Sequence, residues 1–181
     1  MTVTDEALMQ QVKHGDLRKA SDLFDRYNKA LYNFFVKIMF DRDLGHDLTQ
    51  NVFLRMMKYR KTYRGDKPFK AWLYQIARNV YADHFRKNKI KYADLTDVEQ
   101  VNDHLMSVDE KLVNDEREKL LYISLYRLNT EQREILILTR FQEMKYEEVS
   151  QILDISVANV KVRVHRAMHK LKEAYLQLEN I

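Results

Sequence analysis

Between Met144 and Lys172 two runs of helically spaced apolar residues are separated only by Asp154-Ile155-Ser156, which leaves room for a tight turn and little else. In the first run Val149, Ile152 and Leu153 form an apolar stripe. Asp154 follows, and Asp tolerates the left-handed backbone that closes a helix. Ser156 stands where a hydroxyl can accept an orphan N–H of the next helix. The second run places Val157, Val160, Val164, Met168 and Leu171 on one face. At about 100° per residue, Asn159, Arg163, Arg166 and Lys170 fall on the opposite face. Lys161, His165, His169 and Lys172 lie along one border between the two. No carboxylate occurs from Val157 to Lys172. A merely solvated helix mixes both signs of charge, because opposite pairs three or four apart stabilise it. A helix lacking that support expects an anionic partner, and the pair reads as a helix-turn-helix that enters a DNA groove.

The rest of the chain is also helical in character. Three Gly and one Pro in 181 residues are too few for the turns of an all-β fold. Leu, Lys, Glu, Met and Arg dominate the periodic segments, so an all-α fold is expected. The absence of Cys excludes disulfides and cysteinyl metal sites and fits a reducing, cytoplasmic setting. No apolar run approaches the roughly 20 residues of a membrane span, and MTVTDEALMQ does not read as a signal peptide.

Net charge is only +4, but its distribution is uneven. From Phe53 to Lys91 a dense series of Lys and Arg is opposed only by Asp66 and Asp83. From Tyr92 to Glu118 the carboxylates of Asp94, Asp97, Glu99, Asp103, Asp109, Glu110, Asp115, Glu116 and Glu118 meet only Lys111 and Arg117. The final helix pair is basic again. Two separated basic segments suggest two separate contacts with a polyanion.

Three units follow: a helical domain over 1–89, an acidic, flexible linker over 90–114, and a second helical domain over 115–181. In the first, Asp16 is placed to cap a helix in which Leu17, Ala20, Leu23, Phe24, Tyr27, Leu31, Phe34, Phe35 and Ile38 recur. Asp41 to Gly45 reads as a break. A second helix carries Leu48, Val52, Met56 and Tyr59, and a third begins near Pro68, a residue suited to a first turn. Phe24 and Trp72 are expected in the core. In the last unit Leu121, Leu125 and Leu128 form a stripe, and Asn129 with Gln132 resembles a capping box.

Taken in order, DLTQNVF, FKAWLYQIARN, the acidic stretch and YEEVSQIL-turn-S-x-x-x-VKVRVHRAMHKL resemble a bacterial RNA polymerase sigma factor of the extracytoplasmic-function type, with only regions 2 and 4. The resemblance implies a monomer that guides core RNA polymerase to promoter DNA, helps open it, and is sequestered by an anti-sigma factor, often membrane-anchored. It implies that Asp47, Gln50, Asn51, Phe53 and Leu54 dock on the polymerase clamp. Asp47, Gln50, Asn51 and Leu54 share one helix face at i, i+3, i+4 and i+7. Relatives usually carry a carboxylate where this chain has Asn51.

The resemblance places minus-ten recognition between Tyr63 and Lys87, with Asn79 at the base-reading position. A flipped base needs a hydrogen-bonding group, an aromatic wall and nearby cations. Asn79 with Tyr63, Phe69 and Tyr74, beside Arg64, Lys67, Arg78, Arg86 and Lys87, offers that set. For the minus-thirty-five element the matching positions are Asn159, Lys161, Val162, Arg163, His165 and Arg166, with Ser156 at the turn and Lys170 further along. Val162 stands where relatives commonly have a small Ser.

A stand-alone helix-turn-helix regulator accounts for the final pair equally well, but leaves the basic, aromatic-interleaved stretch from Tyr59 to Lys91 unexplained. Catalysis is not expected: no phosphate-binding loop, nucleophile elbow or H-E-x-x-H helix occurs. His165 and His169 are four apart without an evident third ligand, so neither a metal nor a cofactor is expected.

Overall fold

A computed structural model describes residues 3–87 and 116–179. Among the described residues every regular element is helical. The expected linker over 90–114 lies outside them.

The first domain begins with α1, Asp5–Lys13, whose first turn is capped by Thr4 Oγ1 accepting from the Ala7 N–H at 3.2 Å. Helix α2 runs Lys19–Met39 and buries Leu23, Tyr27, Leu31, Phe34, Phe35 and Ile38, the expected stripe. Its start differs from expectation. Asp16 does not cap it but pairs with Arg18 at 3.1 Å, and Leu17 is exposed. Helix α3, Arg42–Tyr59, is capped by Asp41, which accepts from the Leu44 N–H at 2.9 Å. The expected break therefore shrinks to Phe40 and Asp41, and Gly45 lies inside the helix. A Cβ on Gly45 would stand 2.7 Å from Val36 Cγ2, so glycine here allows α2 and α3 to pack closely. After a short 3₁₀ turn, Arg60–Thr62, and a loop containing Gly65, α4 runs Phe69–Lys87.

The second domain comprises α5 (Glu116–Tyr126), α6 (Thr130–Leu136), α7 (Tyr146–Leu153) and α8 (Val157–Glu179). Asn129 caps α6 by accepting from the Gln132 N–H at 2.9 Å. Beyond α6 the chain continues in a wider, π-type winding over Ile137–Phe141.

The two domains pack on each other. Helix α4 lies against α7, and α2 meets α6 and the wide turn. One cation from each side enters aromatic surroundings on the other. Lys37 of α2 sits 5.3 Å from the ring of Phe141 and 5.9 Å from that of Tyr122. Arg133 of α6 sits 5.2 Å from Phe40 and also donates to the carbonyl of Ile38 at 2.9 Å. Desolvation holds Lys37 below the ordinary lysine range.

Candidate nucleic-acid and docking surfaces

The helix-turn-helix forms as its residues dictate. Asp154 adopts φ 55°, ψ 47°, ending α7, and Ile155 N–H donates to the Ser150 carbonyl at 3.1 Å. Ser156 Oγ accepts from the Asn159 N–H at 3.2 Å and starts α8. The buried face of α8 is Val160, Val164, Ala167, Leu171 and Ala174. Met168, expected in this stripe, is exposed because Ala167 takes the position nearest the core.

The outer face carries Asn159, Lys161, Val162, His165, Arg166 and Lys170, all exposed, with Arg163 half-buried. Asn159 Oδ1 accepts from Arg163 Nε at 3.2 Å, so the two side chains fix each other. Arg163 and Arg166, with Asn129, Glu131, Gln132 and Ile135, line an open notch of about 280 Å³ beside α6. Lys170 is paired to Glu173 at 2.8 Å.

On α3, Asp47, Gln50, Asn51 and Leu54 are all exposed on one face, and Leu54 is 71% accessible. Phe53 does not share that face. It is buried and lies 4.7 Å from Phe24. Phe24, expected in the core, is partly exposed beside it, because α2 presents it at the domain's edge.

The predicted minus-ten residues separate into three groups. Arg64, Lys67, Asn79, Arg86 and Lys87 are exposed. The three rings named as a stacking wall are not available as one: Tyr63, Phe69 and Tyr74 are fully buried. Tyr63 and Phe69 pack around Trp72, and Tyr74 against Phe34. Their spacing along a helix serves the core as well as it would serve a base. Arg78 is turned toward the second domain, where its Nε meets Glu134 Oε1 at 2.7 Å.

A chain of polar contacts joins the two surfaces of the first domain. Asn51 Oδ1 accepts from Arg55 Nε at 3.0 Å, Arg55 contacts Asp83 at 2.7 Å, and Asp83 contacts Arg86 at 2.9 Å. The hydrogen bond from Arg55 holds the Asp83 carboxyl below its usual range. Neither Glu134 nor Gln142 is singled out by the sequence as a site residue. Only Glu134 left a local signal, a carboxylate adjoining the apolar run Ile135–Leu138. Burial pushes its pKa up, against the opposing pull of Arg78.

These features define a helical, two-domain protein with a helix-turn-helix in the second domain and a second cation-rich helix, α4, in the first. Comparison with known families agrees. The sigma-70 region 2 family model matches residues 23–90, and that of sigma-70 region 4 matches residues 124–171. The chain is 31% identical over 156 residues to the ECF RNA polymerase sigma factor SigX of Bacillus subtilis (strain 168), covering 83% of this chain and 80% of that one. It is 31% identical over 159 residues to SigM of the same organism, covering 85% and 93%. Among solved structures, CnrH in complex with the cytosolic domain of CnrY aligns with TM-score 0.71 and 25% identity over 93% of this chain and 95% of that one. The chain belongs to the ECF sigma factors of the sigma-70 family, which direct RNA polymerase to promoters. No described helix is long and apolar enough to cross a membrane.

Proposed function

We propose that this sigma factor divides promoter recognition between α4 and α8, and docks on core RNA polymerase through α3. The domains are assigned as 1–89 and 115–181, joined by 90–114. On α3, Asp47, Gln50, Asn51 and Leu54 receive a helix of the polymerase clamp, with the apolar surface of Leu54 at the centre and the polar residues around it. Phe53 supports this face from beneath through Phe24. On α4 and the preceding loop, Asn79 reads an unstacked base of the minus-ten element. Arg64, Lys67, Arg86 and Lys87 hold the phosphates. On α8, Asn159, Lys161, Val162, Arg163, His165 and Arg166 face the minus-thirty-five duplex, Ser156 orders the turn and Lys170 meets the backbone further along.

The carboxylate-free stretch of α8 from Val157 to Lys172 carries this reading, because Lys161, Arg163 and Arg166 have no carboxylate of their own helix within pairing distance, and only the later His169 and Lys170 meet Glu173. The protein acts as an initiation factor rather than as a catalyst. An anti-sigma factor is the expected regulator: the sigma factor RpoE of Bartonella quintana is seen in complex with the anti-sigma factor NepR, and CnrH with the cytosolic domain of CnrY.

Transcription and footprinting with purified core polymerase test the assignment. The expected result is start-site-specific transcripts and protection of both promoter elements only when polymerase is present. A footprint obtained by the protein alone, with no transcription on adding polymerase, would favour a stand-alone regulator.

A further inference from the structure

Toward its N-terminus the polar outer face of α8 is interrupted by an apolar strip. Val162 is 47% accessible, and Ala158, four residues before it, is exposed as well. Residues four apart stand one above the other on a helix, so the two side chains adjoin. Neither belongs to the buried face of Val160, Val164, Ala167, Leu171 and Ala174. The strip lies in the part of a recognition helix that meets base edges.

The side chains bordering the strip are hydrogen-bond donors. Arg166 is exposed one turn beyond Val162. Asn159 Oδ1 already accepts from Arg163 Nε at 3.2 Å, which leaves the amide N–H groups of Asn159 as its free hydrogen-bonding side. No carboxylate from Val157 to Lys172 is present to accept from the amino groups of adenine or cytosine. Thymine matches both features of this surface. In the major groove it presents a C5-methyl group beside its O4 acceptor.

We propose that Ala158 and Val162 form a thymine-methyl reader, which selects thymine where the N-terminal part of α8 enters the minus-thirty-five duplex. The proposal rests on the reading of α8 as the minus-thirty-five surface, and it adds an apolar term to a readout otherwise made by cations. Docking takes the thymine methyl group and the Val162 side chain out of water together. Burial of one such group corresponds to a preference of about fourfold.

The test uses holoenzyme, made from the full chain and core polymerase, and a promoter that it selects from a pool randomised upstream of the minus-ten element. Each thymine of the selected upstream element is replaced in turn by deoxyuridine, which lacks only the methyl group, and affinity is read by competition. At least one replacement is expected to weaken binding of the parent about fourfold. Val162→Ser combined with Ala158→Ser should bind the two forms alike. Both positions are exposed, so the fold should tolerate the change. Arg166→Ala should weaken binding to both forms and keep their ratio. The proposal is overturned if no deoxyuridine weakens the parent, if the ratio survives the double variant, or if Arg166→Ala removes it as well. A separate arm tests the underlying reading. A scrambled upstream element that binds as tightly as the selected one would remove α8 from the minus-thirty-five surface, and the proposal with it.

Discussion

The guanidinium of Arg133 stands 5.2 Å from the ring of Phe40, a residue of the other domain that itself sits in the left-handed region at φ 56°. The same guanidinium lies 5.1 Å from Tyr126 and donates to the carbonyls of Leu125, Tyr126 and Leu128, closing the C-terminal end of α5. Truncation would leave several buried carbonyls unpaired at once. Arg133→Ala is expected to lower stability by about 3 kcal/mol in urea unfolding, and Arg133→Lys to recover little, since an ammonium lacks the planar fork. A loss under about 1 kcal/mol would show that water replaces the contacts readily.

Leu54→Asp should abolish binding to core polymerase in a pull-down while changing stability by no more than about 0.5 kcal/mol, as expected at so exposed a position. Undiminished capture would move the docking surface elsewhere. Asp47→Ala with Gln50→Ala should give a weaker version of the same loss.

Asn79 is exposed on α4, so Asn79→Ala should leave the fold unaltered. Its effect should fall on promoter opening, with a larger loss of transcription from duplex than from pre-melted templates. Equal losses on both would assign Asn79 a role other than capturing a base during opening.

Within α8, position along the helix separates two kinds of contact, because a recognition helix meets base edges with its N-terminal residues. Arg163→Ala should cost about 1–3 kcal/mol on the cognate minus-thirty-five duplex with holoenzyme and much less on a scrambled one. Lys170→Ala should weaken both alike and reduce the salt slope by about one. The reverse pattern would exchange the two roles.

Alkaline titration checks the buried phenols. Desolvation, then the hydrogen bond to Asp5, raises Tyr27 well above the ordinary phenol range, and desolvation likewise raises Tyr74. A raised phenol favours the neutral folded form, so its contribution is complete below the unfolded pKa of about 10 and is lost as pH climbs toward the folded value. Absorbance at the phenolate band should rise first for exposed tyrosines. A second rise should coincide with loss of helical circular dichroism. A single early rise with helicity intact would contradict this burial.

Local signals in the chain carried much of this architecture. The Asp154–Ser156 turn was legible because both residues act through their own backbone and side chain. The Asp47–Leu54 face was legible because helical spacing alone decides it. Where two apolar residues adjoin, as at Ala167 and Met168, spacing could not say which faces inward. Tyr63, Phe69 and Tyr74 illustrate a second limit: an aromatic that lines a base pocket and one that fills a core obey the same periodicity. The contact between the domains was invisible for a third reason. Arg78 and Glu134 are 56 positions apart, and neither carries a local mark of the other.

Helix α1 has a practical consequence for where the first domain can be cut. Glu6 Oε1 accepts from the Phe69 N–H at 3.0 Å, and Lys13 donates to the Tyr63 carbonyl at 2.6 Å, so this segment fastens both ends of the loop that leads into α4. Leu8, Met9 and Val12 are buried against the same region. The span matched by the family begins only at residue 23. A fragment excised at that boundary would keep every residue assigned to DNA yet lose the brace that sets the entry of α4, and would misrepresent the affinity of the intact domain.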